Sequence, residues 1–183
     1  ILILAWTIGS SVGELNTGTY LANSLGKTLP PFLYPALVFA LAGVIAFATG
    51  TSWGTFAIMV PIAVDFSLIF DPEITLIMIA AVLAGAVFGD HCSPISDTTI
   101  LSSTGAGCNH IDHVTTQLPY ALFVAGISFV GYIAAGILIT VVGLSSTAGG
   151  LLSLVLSIGL MLVALKIAHL YTAMKGSTIP TRI

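Results

Sequence analysis

Apolar residues run through this chain in long uncharged blocks, each cut by a short polar or Gly/Pro-bearing stretch. Residues 1–9 (ILILAWTIG) predict the end of a helix, and SSVGELNTGTY breaks it, so 1–26 reads as a helix end and a polar break closed by the short amphipathic piece YLANSLG. KTLPPFLYP follows, where Pro30 and Pro31 bar a helix because proline lacks the amide hydrogen and its ring clashes with the preceding turn. ALVFALAGVIAFAT (36–49) and TFAIMVPIAVDFSLIF (55–70) then form two apolar arms around GTSWG. At the helical rise the first arm reaches only ~21 Å against a hydrocarbon core of ~30 Å, whereas 36–70 as one helix would reach ~52 Å. Two short arms with a polar tip predict a re-entrant helical hairpin over 36–70. Such a tip is tolerated at membrane depth only where protein or a wet cavity covers it.

Asp71-Pro72-Glu73 reads as a surface turn whose carboxylates suit the start of the next helix. That helix, ITLIMIAAVLAGAVF (74–88), runs straight into GDHCSPISDTT. Ser93-Pro94 has the form of a helix N-cap followed by proline at the first helical position, so a second half-helix is expected from Pro94 to about Ser103. Residues 74–103 are therefore one discontinuous transmembrane helix. Ala42, Ala46 and Gly50, and again Ala81, Gly85 and Gly89, recur every four residues and offer faces for close helix approach. GAGCNHIDH (105–113) is a loop, 114–142 a long transmembrane helix, 143–150 a loop, and 151–171 a last transmembrane helix with Lys166 and His169 near its end. The basic tail with Lys175 and Arg182 favours a cytoplasmic C-terminus. Counting back, 143–150 and Asp71–Glu73 face outside and His110–His113 inside; Lys27 then falls outside, against the same rule.

Composition sharpens the class. Hydrophobic residues make up 57% of the 183 and charged residues 6%, with four Lys and Arg against seven Asp and Glu. An average domain is about a quarter charged. So few charges cannot solvate a soluble surface of this size, and disorder, nucleic-acid binding and a coiled coil are excluded by apolar content and the lack of basic surface. What remains is an all-α integral membrane protein with the lipid bilayer as its solvent. The opening Ile-Leu-Ile-Leu has no Met, basic region or cleavage site, and reads as a fragment that opens inside a helix, with a larger functional unit around it. Cys92 and Cys108 do not make a disulfide framework.

Three polar features sit inside this apolar background. The first is the run Asp90 to Thr99: an unwound stretch frees carbonyl oxygens, and with hydroxyls and carboxylates these are hard ligands suited to a small cation. An ionisable residue in a membrane is by default a functional hypothesis. Asp97 has a plainer alternative, since a carboxylate in the first turn after Pro94 suits the helix dipole. The second feature is the hairpin tip, with Thr51, Ser52 and Thr55, whose alternative is a capping turn in which Ser52 or Thr55 starts the second arm. The third is Glu14, beside Gly13 and Gly18: a proton carrier if inside the membrane, a solvated carboxylate if in a loop. The ligand types Asp90, His91, Cys92, Cys108, His110, Asp112 and His113 fit no zinc spacing, and His110, Asp112 and His113 fall in an interfacial loop. Cys92 lacks a general base at catalytic spacing and reads as a small apolar filler.

GDHCSPISDTTILSSTGAGCNHIDHVTTQLPYAL (89–122), ATGTSWGTFAIMVPIA (48–63) and IGSSVGELNTGTYLA (8–22) resemble the NhaC-type Na+/H+ antiporter family of the ion transporter superfamily. The resemblance implies a fold of two inverted repeats, each a re-entrant hairpin followed by a discontinuous helix, with the cation site between hairpin tip and helix break. With one hairpin and one broken helix, this chain resembles the C-terminal half. By position it implies ion or substrate binding by Thr51, Ser52, Thr55, Asp90, Ser93, Asp97, Thr98 and Thr99, with Na+ held by Asp90, Ser93 and Asp97; Glu14 stays the candidate proton carrier of the residue reading, with its loop alternative open. No cofactor is implied, Na+ and H+ being cargo. The expected partners are the bilayer, the missing N-terminal half and a second copy in a homodimer, with no nucleic acid, in the plasma membrane.

The expected mechanism is competition: a carboxylate held away from water is neutralised by H+, or by Na+ with oxygen ligands, but not by both. If the mobile element crosses only when the site is filled, the two ions exchange by alternating access. Two further readings stand beside this one. In the first, the same fold exchanges an organic anion or amino acid coupled to Na+ or H+. In the second, the chain is an intramembrane metalloprotein using His91 and Asp97, or a structural membrane subunit.

Overall fold

The computed structural model of the chain describes residues 7, 10–11, 14–25 and 29–176. The expected helix end over 1–9, Lys27 and the tail with Arg182 fall wholly or largely outside the described residues. Every regular element among the described residues is helical: α1 (Thr17–Leu25), α2 (Tyr34–Thr49), α3 (Ser52–Phe70), α4 (Thr75–Cys92), α5 (Asp97–Gly105), α6 (His110–Thr140) and α7 (Ser146–Gly176). Single 3-10 turns, Pro31–Leu33 and Pro72–Ile74, lead into α2 and α4. Counting those turns, five helices are long and apolar enough to cross a membrane. The molecule is an all-α integral, multi-pass membrane protein.

Several boundaries differ from the sequence reading, each for a local reason. Pro31 begins a helical turn instead of only barring one, because proline at a helix start gives up no needed hydrogen bond. Thr51 is extended and its side chain accepts from the Gly54 amide, so it is the N-cap, and α3 takes in Ser52, Trp53 and Gly54. The two arms, Pro31–Thr49 and Ser52–Phe70, are each 19 residues long. That is ~28 Å of helix, longer than the short re-entrant arms expected. Between them only Gly50 and Thr51 are non-helical, and Gly50 takes the left-handed conformation (φ 67°) that glycine adopts without strain. At the other end of the molecule, Asn109 Oδ1 accepts from the amides of Ile111 (2.9 Å) and Asp112 (3.3 Å), so α6 starts at His110 and not in a loop running to 113. Ser145 likewise accepts from the Ala148 amide at 3.4 Å, and α7 opens at Ser146.

The core forms around α4. α2 and α4 run parallel, with α3 antiparallel between them in sequence, and they touch backbone to backbone. A methyl placed on Gly85 would lie 2.1 Å from the Phe39 carbonyl oxygen, and one on Gly89 would lie 2.0 Å from that of Gly43. The small-residue faces read from the sequence, Ala42 and Ala46 on α2 and Ala81 on α4, are fully buried at this contact. Tyr34 closes the far end, edge-on to Phe66 and Phe70 at 4.7 and 5.0 Å between ring centroids. α6 is tied to α4 by the Tyr132 hydroxyl, which donates to the Ala80 carbonyl at 3.0 Å. By contrast, α7 buries little and exposes Leu154, Leu162 and Leu165.

Connections gather at two ends. Gly136 of α6 meets the Phe32 backbone and Gly150 of α7 meets Ile77, so Pro31–Leu33, the 71–74 turn and the 141–145 connection share one end. The α2–α3 turn, the α4–α5 break and the start of α6 share the other. There α4 continues through Gly89-Asp90-His91-Cys92, four residues beyond the expected end at 88, and the non-helical segment is Ser93–Ser96. Pro94 is not the first residue of a new helix: Ser93 caps the end of α4, and α5 begins at Asp97. The Thr99 hydroxyl donates back to the His91 carbonyl at 3.3 Å, so α5 folds against the end of α4 instead of prolonging it.

Candidate functional site

The hairpin turn and the helix break meet at Asp90. This carboxylate sits in the last turn of α4 and is 6% exposed. Ser52, at the start of α3, donates to Oδ2 at 3.1 Å, and Ser96, at the end of the break, donates to Oδ1 at 2.6 Å. Ser96 has one hydroxyl hydrogen, and with Asp90 ionised it goes to the carboxylate. Thr98 Oγ1, 2.7 Å from Ser96 Oγ, is then the donor to Ser96, so a hydroxyl chain leads from exposed Thr98 to buried Asp90. Bonds to an ionised acceptor are about twice as strong as neutral ones, and two of them offset part of the cost of burying the charge.

Around this centre the backbone is fixed by further hydroxyls. Ser93, fully buried, donates to the Phe47 carbonyl at 2.8 Å, joining the break to the end of α2. The Ile95 backbone lies so close to Gly50 that a methyl there would be 2.8 Å from the Ile95 carbonyl oxygen. The C-terminal ends of α2 and α4 converge here with the N-terminal ends of α3 and α5. Helix C-termini carry partial negative charge and N-termini partial positive charge, so the place holds both kinds of polar backbone end around one carboxylate. Several carbonyls freed by the break already have donors. That of His91 accepts from Thr99 and Gln117, and that of Pro94 lies 2.7 Å from His110 Nε2. The hard oxygens left facing one another are the Asp90 carboxylate and the Ser52 and Ser96 hydroxyls.

The residues chosen from sequence divide into groups. Ser52 and Asp90 are brought into direct contact, and Thr98 joins them through Ser96, whereas the Ser93 hydroxyl goes to the Phe47 carbonyl and not to the carboxylate. Thr99 is buried and reaches the His91 carbonyl. Thr51 and Thr55 are bound to their own helix: Thr51 is the cap, and Thr55 Oγ1 donates to the Thr51 carbonyl at 2.9 Å. Asp97 is exposed, and its carboxylate accepts from the Thr98 amide at 2.8 Å, the helix-start arrangement that was its plainer alternative. Glu14 is exposed and none of its described contacts reaches the cluster. Ser96 was missed. Its signal was position: placing the helix start at Ser93-Pro94 hid it inside a supposed half-helix. His110, expected in an interfacial loop, instead opens α6 and bonds the break. Among the described residues no three His, Cys, Asp or Glu side chains stand close enough to hold one metal ion.

A sequence profile described as the Na+/H+ antiporter family matches residues 1–137. A protein of Haemophilus influenzae, named only as uncharacterized, is 53% identical over 158 residues, covering 86% of this chain and 30% of its own length. The malate-2H(+)/Na(+)-lactate antiporter of Bacillus subtilis is 37% identical over 145 residues, 73% of this chain and 28% of its own. A protein of Haemophilus influenzae named as an uncharacterized Na(+)/H(+) antiporter is 31% identical over 121 residues, 64% of this chain and 25% of its own. The matched stretches thus cover less than a third of the length of these curated relatives. No solved structure matches.

Proposed function

The chain belongs to the Na+/H+ antiporter family, and from that premise we propose that it supplies a cation site of a membrane antiporter in which H+ and Na+ compete for Asp90. The observation that carries this is a carboxylate 6% exposed, bonded by Ser52 from the hairpin and Ser96 from the break. A proton on Asp90 neutralises it within that hydroxyl pair. A sodium ion neutralises it instead when Ser52 and Ser96 turn their lone pairs, and no longer their hydrogens, toward the same point, which is the hard-oxygen environment a small cation needs. The hairpin and the broken segment each supply a hydroxyl, so a relative movement of the two alters the site and its access together. Na+ and H+ are cargo here, and no cofactor enters.

The rest of the protein, which relatives of nearly three times this length imply, covers the polar end of the bundle from water and lipid. The surrounding lipid is that of the plasma membrane, and exposed apolar α7 is where a second copy would pack. The test is Asp90→Asn in the full-length protein, reconstituted in proteoliposomes with a pH-sensitive dye inside. Na+-driven proton movement is abolished while insertion is intact; exchange at the unaltered rate removes Asp90 from the mechanism.

A second reading rests on the Bacillus relative, whose name couples H+ and Na+ to organic acids. In that reading the same site carries the coupling ion, and the cargo is a small carboxylate such as malate or lactate. Flux of radiolabelled malate or lactate against a Na+ gradient, absent from empty vesicles, separates it from simple Na+/H+ exchange.

A further inference from the structure

His110 opens α6, and its ring bridges two other parts of this end of the molecule. Nε2 lies 2.7 Å from the Pro94 carbonyl oxygen and Nδ1 lies 3.1 Å from Ser103 Oγ on α5. A carbonyl only accepts, so Nε2 carries a hydrogen. Ser103 Oγ is also 2.9 Å from the Ile100 carbonyl, which Thr104 Oγ1 reaches at 2.8 Å. Ser103 can therefore turn its hydrogen to Nδ1 without leaving the Ile100 carbonyl unpaired, and a neutral imidazole is satisfied at both nitrogens. Pro94 lies in the middle of the non-helical segment Ser93–Ser96, has no amide hydrogen of its own, and follows a residue that the Ser93–Phe47 bond fixes. The opposite end of the segment is Ser96, whose hydroxyl has to be aimed at Asp90.

We propose that His110 is a positioning residue for the cation site: it clamps the 93–96 segment from α6 through the Pro94 carbonyl, and so fixes the aim of the Ser96 hydroxyl. The proposal rests on Asp90 being the cation site. His110 itself does not touch Asp90; it acts on the ion through the segment. A glutamine at 110 places an amide NH where Nε2 stands, whereas asparagine is polar but too short and leucine has no donor.

The test uses the full-length protein with His110→Leu, His110→Asn and His110→Gln. Two quantities are read: deuterium uptake at the amides of Ser93, Ile95 and Ser96 in detergent, and KM for Na+ in proteoliposomes. Loss of one net hydrogen bond raises both by about fivefold in the Leu and Asn variants, and the Gln variant returns both to within about twofold of the parent. A residue needed only for folding would lower the amount of inserted protein and leave KM alone. Should the Leu variant fail to insert, the Asn and Gln pair gives the same comparison. Uptake unchanged in the Asn variant overturns the proposal. Faster uptake with KM unmoved overturns it too: if Asp90→Asn is inactive beside it, the site reading stands and the clamp is irrelevant to the ion; if Asp90→Asn is active, the site reading has fallen and takes the clamp with it.

Discussion

Gly89→Ala is the sharpest perturbation available, because it pushes on the site without altering any of its polar side chains. The added methyl would lie 2.0 Å from the Gly43 carbonyl oxygen, 2.8 Å from the Phe47 amide nitrogen and 2.9 Å from the Gly43 carbonyl carbon, all backbone atoms of α2. Bringing the closest of these to even a tight 3.0 Å separation requires α2 and α4 to part by about 1.0 Å, since the closely packed backbone cannot yield locally. One bond spans this gap, Ser93 Oγ to the Phe47 carbonyl at 2.8 Å, and a second, Ser52 Oγ to Asp90 Oδ2 at 3.1 Å, ties α4 to the start of α3, which the two-residue turn holds to α2. Stretched by about 1 Å, both leave the hydrogen-bonding range. The expected loss is about 1 kcal/mol for the neutral bond and about 1.5–3 kcal/mol for the bond to the carboxylate, on top of about 1–3 kcal/mol for overpacking. The assay is Na+-driven proton movement in proteoliposomes together with thermal unfolding in detergent. Exchange falls at least about tenfold, and the melting temperature drops, with the protein still inserted. Gly126→Ala, where nothing lies within 4 Å, is the control; alanine is the better helix former there by about 1 kcal/mol, so stability holds or rises. Parental exchange by Gly89→Ala would refute the claim that close approach of α2 and α4 holds the site together.

Ser96→Ala and Ser52→Ala each weaken Na+ binding by about tenfold or more, as expected for a hydroxyl bonded to a buried carboxylate, and the double variant shows a non-additive loss when KM is compared around the cycle. Asp97→Asn keeps exchange within about fivefold of the parent, since removing a helix-start charge from an exposed turn costs about 0.3–1 kcal/mol; abolished exchange would move the site to Asp97. Tyr132→Phe removes the bond from α6 to the Ala80 carbonyl and costs about 0.5–1.5 kcal/mol in thermal stability, while KM for Na+ is unmoved because the bond lies far from the site along α4.

Much of this protein was legible in the sequence. Apolar blocks of membrane length, the scarcity of charge, the polar tip at 50–54 and the polar run from Asp90 are local properties, and the solvent they require follows from composition alone. The small-residue repeats ending at Gly50 and Gly89 were legible for the same reason: close backbone approach needs missing side chains wherever the partner lies. Tertiary structure decided which polar groups meet. Asp90 and Asp97 look equivalent in sequence, seven residues apart in one polar run, but the α2–α4 contact buries the first beneath Ser52, and the start of α5 leaves the second exposed. Thr51, Ser52 and Thr55 look alike at the tip, yet only Ser52 points across, because capping and back-bonding occupy the other two. Ser96 and His110 acquired their places from a break four residues long and a helix start set by Asn109. A hydroxyl or an imidazole finds its partner through the fold, at separations of up to 52 residues, and no local pattern fixes where such a partner will be.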